Sequence, residues 1–336
     1  MCIVPSTFRA EKDITMKTTI VTAADRNFVW GSFLLLASLR CHKVPCPVNI
    51  LSFGLSADDE AVLRQFPDVA LFSAAQEDPR NIACQKAQAI YTARETDCIA
   101  WVDSDCIVTG QICEYFEVPP GKIQIRMRPP KEIEYLFRLR YDAGEERGRI
   151  PQRVLDIWKK DVNGRTEPQV TTSCNACAFV VHSSDLGFIH RWEAQIQKVI
   201  PPENMGIVND SSFAYFLLDE TVMASMLAFD VAAPEVTTYC LEGQLKGQLV
   251  HFGGTPKPWD MWNVYHLPWF TEVIDLVDWA KGQGYRFPSK RWVFNRHLRP
   301  AYGMIAKLFD FQHVTKRFAR DRAKKVLRKL NLKRPR

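Results

Sequence analysis

Cys98-Ile99-Ala100-Trp101-Val102-Asp103-Ser104-Asp105 carries five apolar residues without interruption into two carboxylates two positions apart. A short apolar run bounded by polar residues is the pattern of a strand buried on both faces, so the acids are expected at the carboxyl end of a central parallel strand. Open α/β sheets bind ligands at that end. On an extended backbone residues 103 and 105 project to one side, where two hard oxygen donors suit a divalent cation held against a diphosphate. Asp-x-Asp also closes turns and caps helices, which is the plainer reading of the same residues.

Outward from this run the first half of the chain alternates. Strands are expected at 18–24, 48–53 and 69–72, and helices at 27–39, 57–65 (opened by Ser56) and 81–94. Such alternation specifies a mostly parallel sheet covered on both faces. Further on, 122–128 alternates like a half-exposed strand, 130–161 reads as helical with a break at DAGEERG, 176–181 as a buried strand and 213–229 as a long apolar helix. An apolar strand ending in Asp-x-Asp is also how haloacid-dehalogenase-type phosphatases present nucleophile and acid. Those enzymes carry the motif on the first strand, whereas here about a hundred residues precede it, room for several βα units.

With 336 residues, 46% apolar and 24% charged, the chain has the composition of a soluble globular protein with a full core. Its ten cysteines read as reduced cytosolic thiols, and Cys174-x-x-Cys177, which lacks a second Cys or His pair at finger spacing, as packing. Residues 1–15 mix charges and hold no apolar core, so they are expected to be a loose arm, neither signal peptide nor membrane span, with Met16 a second candidate start. The longest apolar stretch, 28–39, is too short to cross a bilayer.

Charge is uneven. Residues 315–336 hold eleven Lys or Arg against Asp321, a net of +10, so the remainder carries −4 of the total of +6. Leu308, Phe311, Val314, Phe318, Val326 and Leu330 recur at helical spacing through this region. A basic amphipathic helix suits an anionic membrane surface, at about 1 kcal/mol per basic residue. A solvated helix packed on its own domain and a nucleic-acid contact are the other readings; no nucleic-acid partner is expected. The expected location is cytoplasmic, peripheral to the inner face of the membrane.

A second cluster lies at Leu249-Val250-His251-Phe252-Gly253-Gly254-Thr255-Pro256-Lys257-Pro258-Trp259. His251 supplies a nitrogen donor, the glycines allow close backbone approach, and Lys257 offers a point charge for phosphate. His251, Gly254, Lys257, Pro258 and Trp259 match the His-x-x-Gly-x-x-Lys-Pro-Trp signature of glycosyltransferase family 8, the family of glycogenin and bacterial lipopolysaccharide galactosyltransferases, and the chain resembles that family in order over roughly residues 17–260. Val21 to Phe28, with Ala23, Ala24, Asp25 and Asn27, resembles the first strand and turn, whose acid contacts uracil and whose aromatic stacks on it. Lys86 falls where the family places a base that touches phosphate and donor sugar. Asn175-Ala176 resembles its Asn-Ala-Gly segment, and Asp219-Glu220 its Asp-Gln pair beside that sugar. Cys177, Glu220 and Ala224 depart from the usual Gly, Gln and Asn.

The resemblance implies a GT-A fold, Rossmann-like, with a mostly parallel sheet flanked by helices. The expected division is an arm (1–16), the GT-A domain (17–285) and a basic helical appendage (286–336). It further implies retaining transfer of a hexose, galactose or glucose, from a UDP-sugar to a glycan or glycolipid acceptor such as lipopolysaccharide or another surface polysaccharide. Asp103, Asp105 and His251 would hold the metal; two carboxylates and an imidazole favour Mn2+, with Mg2+ the alternative. Ser104 lies between the acids at the nucleotide, Gly254 and Lys257 at the diphosphate, and Asp219 and Glu220 are the candidates to stabilise an oxocarbenium-like centre, the favoured reading, or to form a covalent intermediate. The competing classes are the Asp-x-Asp phosphatase and an inactive nucleotide- or glycan-binding relative.

Overall fold

The computed structural model describes residues 16–74, 82–93, 95–138, 148–200, 214–237 and 249–311. The expected arm, the DAGEERG break up to Arg147 and the tail stripe beyond Phe311 lie outside them. The chain forms two compact units, Met1–His251 and Phe252–Arg336.

The first unit is built on a seven-stranded mixed sheet of order β3-β2-β1-β4-β7-β6-β8. Its first half follows the sequence pattern closely: β1 (Thr18–Asp25), α1 (Val29–Cys41), β2 (Val48–Phe53), α2 (Ala57–Arg64) and β3 (Val69–Ser73). Val29 to Leu39 of α1 are buried on every face, as expected of a helix with no polar stripe. Ser38 is tolerated there because its hydroxyl donates to Leu35 O (2.7 Å) and accepts from Val108 N (2.9 Å). A capping box between Ser56 and Asp59 opens α2. The helix expected over 81–94 is shorter: α3 spans Lys86–Ile90 between two 3₁₀ turns.

Strand β4 (Cys98–Val102) is buried at every position and runs parallel to β1, with Val21 opposite Trp101. The chain therefore leaves β1 toward β2 and β3 on one side and returns to β4 on the other. That reversal is a topological switch point, the place where open α/β sheets hold ligands, and Asp25 and Asp103 stand at the strand ends that flank it.

Beyond β4 the sheet becomes mixed. Strand β5 (Cys106–Val108) leaves it, β6 (Lys122–Met127) and β7 (Cys174–His182) are antiparallel to each other, and β8 (Glu235–Thr237) runs parallel to β6. Strand β7 lies antiparallel to β4. Ile125 faces Phe179 but Arg126 faces Asn175, so Ala176, Cys177 and Ala178 bulge from the β6 ladder. Helices α4 (Pro130–Arg138), α5 (Gln152–Val162) and α6 (Leu186–Val199) surround this half.

Helix α7 begins at Asp219 and ends at Phe229, later than the expected start at 213. Leu218 precedes it at φ 52° and ψ −125°. This left-handed conformation is normally a glycine's and costs a side-chain-bearing residue about 1–3 kcal/mol. At the other end Arg165 N and Gln169 N donate to Phe229 O (2.7 Å) and Ala228 O (2.8 Å). A Cβ at Gly164 would lie 2.1 Å from Phe229 O, so only glycine permits that approach.

A separate two-stranded ribbon pairs β5 with β9 (Leu249–His251), antiparallel, with Cys106 opposite His251.

The second unit buries Trp259, Trp262, Phe270 and Tyr302 around α8 (Phe270–Gly282). Trp262 Nε1 donates to Val293 O at 2.8 Å. A terminal helix runs through residues 299–311. Met304, Leu308 and Phe311, at helical spacing, are 64, 65 and 67% exposed and form an apolar stripe open to solvent. Among the described residues no helix is long and apolar enough to cross a membrane.

Candidate active site

At the switch point an open cleft of about 220 Å³ is floored by the ends of β1 and β4, the β7 bulge and the start of α7. The structure brings Ala23, Asp25, Phe28 and Lys86 to its wall. Asp103, Ser104, Asp105, Asp219 and Glu220 complete it.

Asp103 to Cys106 form a turn, closed by Cys106 N donating to Asp103 O at 3.0 Å. The expectation of an extended backbone is therefore corrected. The two carboxylates converge because the chain turns between them, and the turn launches β5. Pairing of β5 with β9 then delivers His251, 146 positions beyond Asp105, to the same place. His251 Nε2 lies 3.3 Å from Asp105 Oδ1, and one donor atom each from Asp103, Asp105 and His251 lies within 4.8 Å of the others. Two carboxylates and an imidazole gathered this closely are a donor set that fits a divalent metal.

Lys86 is 4% exposed. Its ammonium meets Asp103 Oδ1, Asp219 Oδ2 and Ala176 O, each at 2.9 Å. Ala176 O accepts a hydrogen bond from it, and the two carboxylates are its ion-pair partners. Burial opposes the ammonium's charge, but the two carboxylates overcome this and raise its pKa above the ordinary value. Asp103 also accepts from Trp101 Nε1 at 2.7 Å.

Glu220 is held by Arg128, whose Nη2 and Nε reach Oε1 at 2.6 and 3.0 Å, while Nη1 reaches Glu132 at 3.0 Å. Burial raises the Glu220 pKa and Arg128 opposes the rise. Reading the sequence missed Arg128. Its signal was a cation on an otherwise alternating strand just before Pro129-Pro130, and the bulge conceals where it points.

Burial raises the Asp219 carboxyl to about 7, with Lys86 opposing. In the unfolded chain this acid ionises near 4, so between about pH 4 and 7 the folded state binds the extra proton. Stability contributed by this group therefore falls as pH rises through that window. Asp219→Asn is expected to flatten this component of urea-midpoint profiles collected from pH 4.5 to 7.5; an unchanged slope would contradict the assignment.

The remaining candidates have local partners of their own. Asp25 Oδ1 accepts from Asn27 N (2.8 Å) and Phe28 N (3.2 Å), closing the turn into α1. Ala24 is buried within β1, and Asn27 is exposed on the turn. Asn175 is buried and its Oδ1 accepts from Cys177 N at 2.9 Å, which shapes the bulge. Cys174 is buried, with Sγ donating to Glu220 O at 3.5 Å, in keeping with packing. Gly254 and Lys257 belong to the second unit, where Gly254 has φ 75° and Lys257 Nζ donates to Phe252 O at 2.8 Å.

The fold is the GT-A fold of glycosyltransferases: a mixed, mostly parallel α/β sheet flanked by helices, carrying an Asp-x-Asp group that fits a metal. The apo structure of the bifunctional glycosyltransferase WbbM superposes with a TM-score of 0.55 at 14% identity, over 78% of this chain and 50% of that one. The chain thus spans about half that protein's length. The glycosyltransferase GlyE of Streptococcus pneumoniae TIGR4 gives 0.47 at 14% identity over 82% of this chain and 65% of that one. The galactosyltransferase LgtC, in complex with donor and acceptor sugar analogues, gives 0.47 at 12% over 84% and 99%. No family model and no curated protein matches the chain.

Proposed function

We propose that the chain is a family 8-type retaining glycosyltransferase that transfers galactose or glucose from a UDP-sugar to a glycan or glycolipid acceptor, lipopolysaccharide or another surface polysaccharide. The observation that carries this reading is the convergence of Asp103, Asp105 and His251 at the switch point of the sheet. These three residues would hold Mn2+, with Mg2+ as the alternative, and the ion supplies positive charge to the departing diphosphate. Phe28 and Asp25 receive the uracil base, with Ala23, Ala24 and Asn27 around it. Ser104 and Asn175 complete the nucleotide-sugar contacts of the first unit. Asp219 and Glu220, fixed by Lys86 and Arg128, present carboxylates to the sugar carbon as positive charge develops on it.

The test is a panel of nucleotide sugars incubated with the protein and Mn2+, reading nucleotide release. Metal-dependent release of UDP from one UDP-hexose is expected. Phosphate release from simple esters without UDP release would favour the phosphatase, and UDP binding without turnover the inactive relative. In the same assay Phe28→Ala and Asp25→Ala are expected to raise the KM for the donor more than they lower kcat. Equal affinity of the unmodified protein for UDP and ADP would argue against a uracil pocket.

The exposed stripe of Met304, Leu308 and Phe311, leading into the +10 segment 315–336, supports peripheral attachment to an anionic membrane. Removing residues 315–336 is expected to leave UDP release unchanged and to abolish cosedimentation with anionic vesicles. Salt should weaken cosedimentation of the full chain, because exposed charges are screened beyond about 8 Å at physiological ionic strength. A truncated protein that still sediments fully would refute this attachment.

A further inference from the structure

Pro129 and Pro130 end the β6 segment and open α4, and Glu132 N donates to Pro129 O at 2.9 Å, which brings the first turn of α4 back onto Arg126 and Arg128. Glu132 bridges the two arginines. One of its oxygens meets Arg126 Nη2, and the other meets Arg128 Nη1 at 3.0 Å. Arg128 turns its remaining nitrogens toward the cleft: Nε and Nη2 donate to Glu220 Oε1 at 3.0 and 2.6 Å, and Nε donates also to Cys174 O at 3.0 Å. Every nitrogen of this guanidinium is thereby held. We propose that Glu132 is a positioning residue for the transfer step: by bridging Arg126 and Arg128 it fixes the arginine that orients Glu220 in the cleft.

The proposal rests on the reading of Glu220 as a carboxylate that faces the sugar carbon. An arginine held only by the acid it serves can swing with that acid. Held from behind by a second carboxylate, its planar fork is fixed. Misplacing a reacting group by about 1 Å can cost about 10²-fold in rate, so a contact one step behind the cleft matters to turnover. Glu132 is the most exposed of the four side chains, at 36% against 12–14% for the others, so its truncation opens no cavity in the core. The sign of the effect separates orientation from charge. Loss of a negative charge by itself favours ionised Glu220 and lowers its pKa. Loss of the grip on Arg128 takes the counterion from a buried acid and raises it. The other charged and titratable groups beside Glu220, namely Lys86, Asp219, Cys174 and Cys177, are the same in both cases.

Carbon-13 NMR of the full chain, labelled at the glutamate carboxyl carbons, follows the titration of Glu220 without substrate, its resonance identified by its loss in Glu220→Gln. In Glu132→Ala the Glu220 midpoint is expected to rise by about half a pH unit or more. Glu132→Gln keeps the side-chain volume but can accept from only one arginine, and is expected to move the midpoint the same way by less. In Glu132→Ala kcat for UDP release is expected to fall by about tenfold or more, with the KM for the donor within about twofold. A Glu220 midpoint that falls or stays in Glu132→Ala, or in Glu132→Gln should the alanine variant not fold, overturns the proposal, as does an unchanged kcat. Failure of the transferase reading looks different: the unmodified protein turns over no UDP-sugar, while the upward shift of Glu220 persists.

Discussion

Asp105→Asn is expected to lower Mn2+-dependent UDP release by about 10³-fold, equivalent to about 4 kcal/mol of transition-state stabilisation, while the thermal midpoint stays close to that of the unmodified protein. The two effects separate because Asp105 faces His251, whereas the structural ammonium of Lys86 is held by Asp103 and Asp219. Asp103→Asn is expected to match the loss of turnover and also to lose stability, since Asp103 anchors both Lys86 and Trp101. Calorimetric titration with Mn2+ reads the cause without a substrate. Full Mn2+ affinity in Asp105→Asn, or in His251→Ala, would remove the shared site.

Lys86→Met is expected to destabilise the fold by about 3–5 kcal/mol at pH 7.5, the cost of leaving buried carboxylates without their cation. Asp103 and Asp219 then face each other uncompensated, and their pKa values rise further. Both acids can take up a proton as the pH falls, so the loss shrinks toward pH 5. Urea denaturation at the two pH values measures it. Adding Asp219→Asn to Lys86→Met should recover much of the stability at pH 7.5, because one of the stranded charges is gone. An equal loss at both pH values, with no recovery in the double variant, would mean that the lysine stem packs and its charge is incidental.

The first half of the fold was legible because burial on both faces writes itself as an apolar run: β4 and α1 admit no polar stripe, and the chain shows none. The acids after β4 were legible for the same reason, as the first polar residues past a buried strand. The turn that joins them was not, since Asp-Ser-Asp suits extended and turned backbone alike. Nor was the partnership of His251 with Asp105, which depends on a ribbon of three residues per strand, too short to leave a periodic signal. The α7 start was misread because residues 214–218 continue the apolar pattern without being part of that helix. Arg128 was hidden by the bulge, which breaks the two-residue alternation from which a strand's facing is inferred.

Helix α7 is fastened at both ends. Lys86 and Arg128 grip its first two residues from different elements, and the 164–169 segment clasps its last carbonyls so closely that residue 164 has no room for a side chain. Eleven helical residues span about 16 Å, and a helix buried along this length does not bend easily. It therefore behaves as a strut. The 164–169 segment and the carboxylates of Asp219 and Glu220 at the cleft are thus the two ends of one buried, stiff element.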